Sequence, residues 1–167
     1  MKKLAALVMA VIMMFSMAFA TETVTEQFNV FWGVEWGDSL ESVKTILGEP
    51  DQKRSIEVID YITYRDIEFA GEEATCVMYF TEDQLTSIMF MFILPPETFF
   101  NSMAYAFKSE FGIPNETGEL MYAWVLTDET RIEVTTDKHG NSVNLDIGNR
   151  TAFVENSKIA PANVDGL

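Results

Sequence analysis

The chain of 167 residues contains one cysteine and one histidine, and its 11 lysines and arginines are outnumbered by 26 acids. A lone Cys76 excludes an intrachain disulfide, so stability must come from an ordinary core. Cys76 and His139 are also too few and too far apart in sequence for a four-ligand transition-metal cage. A formal charge of −15 repels phosphate backbones and anionic lipid heads, which makes nucleic acid and membrane surfaces poor partners. The long uncharged stretch, Leu4 to Ala20, falls short of the roughly 20 apolar residues a helix needs to cross a bilayer.

That stretch has another explanation. Lys2 and Lys3 form a positive n-region, Leu4 to Phe15 an apolar run, and Ala18-Phe19-Ala20 the small-x-small pattern of a signal-peptidase site. The sequence therefore predicts a signal peptide over 1–20 and an exported protein, secreted or periplasmic. No cysteine near the cleavage site offers a lipid anchor, so no membrane anchor is expected after cleavage. Cleavage would leave 9 basic residues against 26 acids, a formal charge of −17, on about 147 residues. That length is close to the commonest single-domain size. A single α+β domain over 21–150 and a polar C-terminal tail over 151–167 follow.

Within the domain, Asp38 to Leu47 reads as an amphipathic helix with Leu40, Val43, Ile46 and Leu47 on one face. Asp38 and Glu41 fit a capping box, while Gly48 and Pro50 mark the end. Three β-rich stretches follow, Ile56 to Ala70, Ala74 to Phe80 and Leu85 to Ile93, with turn residues between them. After Pro95-Pro96 a second helix carries Phe100, Met103, Ala104, Phe107 and Phe111 at helical spacing, and Gly112 and Pro114 end it. Leu120 to Leu126, Arg131 to Thr135 and Val143 to Gly148 read as three more strands. Helix, Gly-x-Pro and three strands thus recur 64 residues apart. The expectation is an internal repeat: two tandem helix-plus-three-strand units, about 36–94 and 95–150, forming an antiparallel sheet with helices on one face.

The run Trp36-Gly37-Asp38-Ser39-Leu40-Glu41-Ser42-Val43-Lys44-Thr45-Ile46-Leu47-Gly48-Glu49-Pro50 resembles the helix-and-turn signature of two groups. One is the outer-membrane-assembly lipoproteins of the SmpA/OmlA family, the other the β-lactamase-inhibitor-protein fold. Gly37, Ser39, Val43, Leu47, Gly48 and Pro50 carry the match. The resemblance implies a non-catalytic protein-binding module whose sheet bears the contact face. It departs from the lipoproteins in lacking the anchor cysteine, and the tandem arrangement favours the inhibitor-type fold. A fold does not license a target.

Side chains suited to chemistry have plainer readings. His139 lies in a polar hairpin turn, a poor place to hold a catalytic ring. Cys76 sits in an apolar strand and behaves as a small hydrophobe. The acidic pairs Glu72-Glu73, Glu82-Asp83 and Asp128-Glu129 fall at turns without a calcium-loop pattern, and Asn115-Glu116-Thr117 and Asn149-Arg150-Thr151 match the glycosylation acceptor pattern, short enough to arise by chance. No catalytic residue, metal or cofactor is expected.

The aromatics point elsewhere. Thirteen Phe, five Tyr and three Trp exceed what one small core needs, and the strand Leu85 to Ile93 is apolar on both faces, with Ile88, Phe90 and Phe92 on one and Leu85, Met89, Met91 and Ile93 on the other. Two helices cover one side of a sheet. The other side must curl, be covered or meet a partner. Tyr61, Tyr79, Met89 and Met91 are the candidate partner-binding residues on that second face, rimmed by Trp32 and Trp36. The leading expectation is an exported protein-binding module for a partner with a basic patch; a homodimer through the same face is an alternative explanation of the aromatics. Competing expectations are a small-ligand or carbohydrate-binding domain using Trp32, Trp36 or Trp124, and a hydrolase, which would require two adjacent buried carboxylates with perturbed pKa values.

Overall fold

The computed structural model describes residues 30–126 and 130–149. The leader, the tail, Asp128-Glu129 and the end of the Asn149-Arg150-Thr151 pattern lie outside the described residues. A two-stranded ribbon, β1 (Val30–Phe31) with β2 (Val34–Glu35), leads into helix α1 (Leu40–Leu47). The sequence suggests a start at Asp38, but the helix begins at Leu40 with a different cap. Ser39 is the N-cap, its Oγ accepting from Ser42 N at 3.2 Å. Asp38 instead accepts from Glu35 N at 2.9 Å and steadies the preceding turn. Leu40 N donates to Asp83 Oδ1 at 3.1 Å, so a side chain from a distant hairpin satisfies another helix-end amide.

The helix ends at Gly48, whose φ of 90° favours glycine. Tyr64 Oη donates to the Gly48 carbonyl at 2.9 Å. The second helix, α2 (Phe99–Phe111), closes in a similar way: Trp124 Nε1 donates to the Gly112 carbonyl at 3.0 Å. Each helix is thereby tied at its C-terminal end to an aromatic side chain of the sheet.

Four strands follow each helix: β3 (Gln52–Ile56), β4 (Ile59–Phe69), β5 (Glu72–Thr81) and β6 (Gln84–Ile93), then β7 (Glu116–Gly118), β8 (Met121–Val125), β9 (Thr130–Thr136) and β10 (Ser142–Asn149). All pair antiparallel in the order β3-β4-β5-β6-β10-β9-β8-β7. This overturns the expectation of two tandem helix-plus-three-strand units. The protein has one continuous eight-stranded sheet, and β6 and β10 join across its middle through a register running from Ser142 opposite Ile93 to Gly148 opposite Ser87.

The two unanticipated strands are β3 and β7, the edges. Their sequences, Gln-Lys-Arg-Ser-Ile and Glu-Thr-Gly, are largely exposed. An edge strand covered on neither face needs no apolar alternation, and its charges discourage pairing with foreign strands.

Both helices pack on the same face. Leu40 and Val43 of α1 and Phe99, Met103 and Phe107 of α2 share one buried cluster with Cys76, Met78, Phe80, Ile88, Phe90, Phe92, Ile132 and Leu145. Phe99 meets Phe92 at 4.8 Å between ring centroids, and Phe107 meets Trp124 at 5.7 Å. Leu85 belongs to this cluster too, contrary to the simple alternation of its strand. A bulge after Tyr79 and Ser87 shifts the register so that Phe80 faces Leu85, and one extra residue turns Leu85 into the core.

Candidate functional site

The strands that bury Cys76, Met78, Phe90 and Phe92 toward the helices send their alternate side chains to the other face. The register assembles those residues into rows. Tyr61 lies opposite Tyr79, Tyr79 opposite Ser87, Ser87 opposite Gly148 and Gly148 opposite Arg131. The next row runs Thr63, Val77, Met89, Asp146, Glu133, Ala123, Glu116. A third holds Thr75, Met91, Asn144, Thr135 and Met121. Tyr61, Tyr79, Met89 and Met91 therefore stand together on the helix-free face, each half-buried. The two tyrosine rings lie 5.9 Å apart at 38°.

Trp32 and Trp36 are elsewhere. The Trp32 ring meets Phe90 edge-on at 5.6 Å, and Trp36 packs against the core cluster. Both belong to the helix side because the β1–β2 ribbon folds back over that face before α1 begins. Trp124 is 1% exposed, so it cannot present a stacking platform.

Sequence reasoning missed the polar half of this face. Arg131 donates to both carboxylate oxygens of Glu116, at 2.7 and 3.1 Å, and to Glu133 Oε2 at 2.7 and 3.2 Å. Glu116 foremost, then Glu133, stabilise the guanidinium and raise its pKa further. Asp146 stands directly across from Glu133. Its carboxyl lies deep among its neighbours although the residue as a whole is only half-buried, and this burial, with the Glu133 charge as a smaller cause, pushes its pKa up to about 7. Burial likewise raises the Tyr79 phenol, with the charge of Asp146 next in importance. The segment Leu145-Asp146-Ile147 alternates apolar and polar like any strand with one solvated face, so nothing in it singled out Asp146.

The turn residues behave as their positions suggest. His139 is exposed in the β9–β10 turn, where its amide donates to Asp137 Oδ1. Cys76 is fully buried and burial raises its thiol pKa, which keeps it protonated and unreactive. Asp83, read from sequence as a solvated turn acid, caps α1 instead. Among the described residues no group of three or more His, Cys, Asp or Glu side chains converges as a metal site.

The arrangement joins a Tyr-Met strip to an acidic strip on one surface. Chemically it offers apolar contact area, fixed negative charge and one carboxyl whose ionisation changes near neutrality.

No family model matches the chain, and no curated protein sequence does. Among solved structures, the chain is similar to a cysteine-rich secretory protein from Staphylococcus aureus subsp. aureus Mu50, at 9% identity and a TM-score of 0.49, over 80% of this chain and 48% of that one. It is also similar to an extracellular protein containing an SCP domain from Bacillus anthracis str. Ames, at 10% identity and a TM-score of 0.45, over 81% and 48% of the two chains. The chain thus spans about half the length of these structures. Among the described residues no helix is long and apolar enough to cross a membrane.

Proposed function

We propose that this protein is an exported, non-catalytic binding module that holds a protein partner against the helix-free face of its sheet. The observation that carries the reading is the contiguity of Tyr61, Tyr79, Met89 and Met91 on a face that neither helix covers. Aromatic and Met side chains are enriched at protein interfaces, and a flanking charged strip supplies orientation and steering. The signal-peptide pattern of residues 1–20 supports export, and the likeness of residues 36–50 to small binding modules supports the class. A basic surface on the partner fits the excess of acids.

A carbohydrate or small-ligand site would need exposed, gathered tryptophans. Trp124 is buried, Trp36 packs against the core, and Trp32 is exposed but stands apart from the other two with its edge on Phe90. The adjacent carboxylates Asp146 and Glu133 favour a second reading, hydrolysis by an acid–carboxylate pair, because Asp146 titrates near neutrality. Glu133 is held in an ion pair by Arg131 at 2.7 Å, which leaves it a fixed charge rather than a free nucleophile or base.

A photocrosslinking side chain placed at position 89, with position 105 on the exposed side of α2 as control, tests the binding reading in native envelope and medium fractions. A discrete protein adduct from position 89 alone is expected. Identical adducts from both positions, or none from 89, would overturn it.

A further inference from the structure

We infer that Asp146 is the receptor for a cationic side chain, a lysine or arginine, from an extended segment of the partner that lies across Tyr61, Tyr79, Met89 and Met91. The inference rests on the helix-free face being the contact surface. Its starting point is where the carboxyl stands. Strand β10 is central in the sheet, with β6 on one side and β9 on the other, so Asp146 is remote from either edge. Its cross-strand neighbours are Met89 and Glu133, an apolar side chain and a like charge.

Among the described residues the carboxyl of Asp146 accepts no hydrogen bond and forms no ion pair. The cation closest in register, Arg131, is committed to Glu116 and Glu133. A carboxylate withdrawn from water without a partner is unfavourable, and buried charges in proteins are ordinarily paired. A cation from outside supplies the missing partner. Beside it, the row between Tyr79 and Arg131 falls to a serine and a glycine. There β6 and β10 approach so closely that a Cβ on Gly148 would lie 2.4 Å from the Ser87 Cβ. This low row, itself buried between larger side chains, lies next to the carboxyl.

The remaining charges agree. Glu133, Arg131 and Glu116 face this region from β9 and β7, Tyr79 and Tyr61 face it from β5 and β4, and Arg54 stands opposite Tyr61 on the edge strand β3, with no titratable group on this face of β6 or β8. On the β10 side of the face two carboxylates meet one guanidinium before Asp146 is counted, and Arg54 lies four strands away on β3, so the field beside Asp146 attracts a cation at every pH where Glu133 and Glu116 are ionised. A docked cation favours the ionised form of Asp146. Binding below neutral pH therefore releases a proton, and affinity rises from pH 5 to pH 8.

The test uses a phage-displayed library of random dodecapeptides selected on the protein at pH 8. Counter-screens use Asp146→Asn, the charge-matched control Glu110→Gln on the exposed surface of α2, and Tyr79→Asp. Selected peptides are expected to carry lysine or arginine amid apolar residues and to bind the parent and Glu110→Gln alike. Loss of binding is expected on Asp146→Asn, and the parent should bind about tenfold or more tightly at pH 8 than at pH 5. Peptides without basic enrichment that are lost only on Tyr79→Asp would overturn the cation inference while leaving the face reading intact. Basic peptides that bind Asp146→Asn as well as the parent would overturn it too, and selection of nothing would overturn both.

Discussion

Strands β5 and β6 carry two sets of side chains at alternate positions, and the two faces they build follow different rules. Toward the helices, Cys76, Met78, Phe90 and Phe92 are fully buried, and Phe69 stacks on Phe90 at 4.2 Å. Polar groups on that side include Tyr64 and Trp124, which satisfy the carbonyls at the helix ends. On the other face, tyrosines and methionines stay half-exposed and a carboxyl stands without a partner among the described residues.

The sharpest contrast should come from truncating neighbours in one strand. Phe90→Ala empties a packed core site and is expected to cost about 3–5 kcal/mol, whereas Met91→Ala, one residue on and facing the other way, should cost about 1 kcal/mol. Urea unfolding of both variants measures the difference. Comparable losses would mean that the second face is as much a core as the first.

Gly148→Ala probes the junction the faces share. Its Cβ would meet Ser87 and the Thr86 carbonyl, at 2.4 and 2.8 Å, so β6 and β10 must separate. A loss of about 1–3 kcal/mol is expected, with faster amide exchange along both strands.

Asp146→Asn separates stability from function. The folded-state pKa of about 7 lies above the ordinary 3.8, so the folded protein binds the extra proton between those values. The associated stability is present below about pH 4 and is lost as pH rises through 7. The amide variant should therefore gain about 1–2 kcal/mol over the parent at pH 8 and little at pH 4, the gain being limited by partial solvation. Denaturant melts at the two pH values check it. A gain at both would place the effect outside ionisation. Smallest of all, Ser39→Ala should cost about 1 kcal/mol through loss of the α1 cap, seen as a lower urea midpoint.

How much of this was legible in the sequence follows from what each residue must satisfy. Helix ends are written locally, and Gly48 and Gly112 mark them because a positive φ favours glycine whatever the surroundings. Central strands announce themselves because one face packs under the helices and the other also carries apolar and aromatic side chains. Strands β3 and β7 were silent because Lys53, Arg54 and Glu116 meet solvent or ions rather than a core. The bulge after Tyr79 is a property of pairing, invisible in one strand alone, and it moved Leu85 to the opposite face. For the site, Tyr61, Tyr79, Met89 and Met91 could be grouped by alternation within strands. Asp146, Glu133 and Arg131 meet only through register between β9 and β10, and the fold-back that takes Trp32 to Phe90 is a tertiary event.

The most direct test of the two-face account is a matched capture experiment from native envelope and medium fractions. It compares the parent with a Tyr79→Asp, Met89→Asp double variant on the helix-free face and a Tyr105→Asp, Ile113→Asp double variant at exposed positions of α2 and the turn after it, all checked for native circular dichroism. The account predicts one protein captured by the parent and by the helix-side variant and lost from the sheet-face variant. Equal capture by both variants, or loss from the helix-side variant alone, would contradict it.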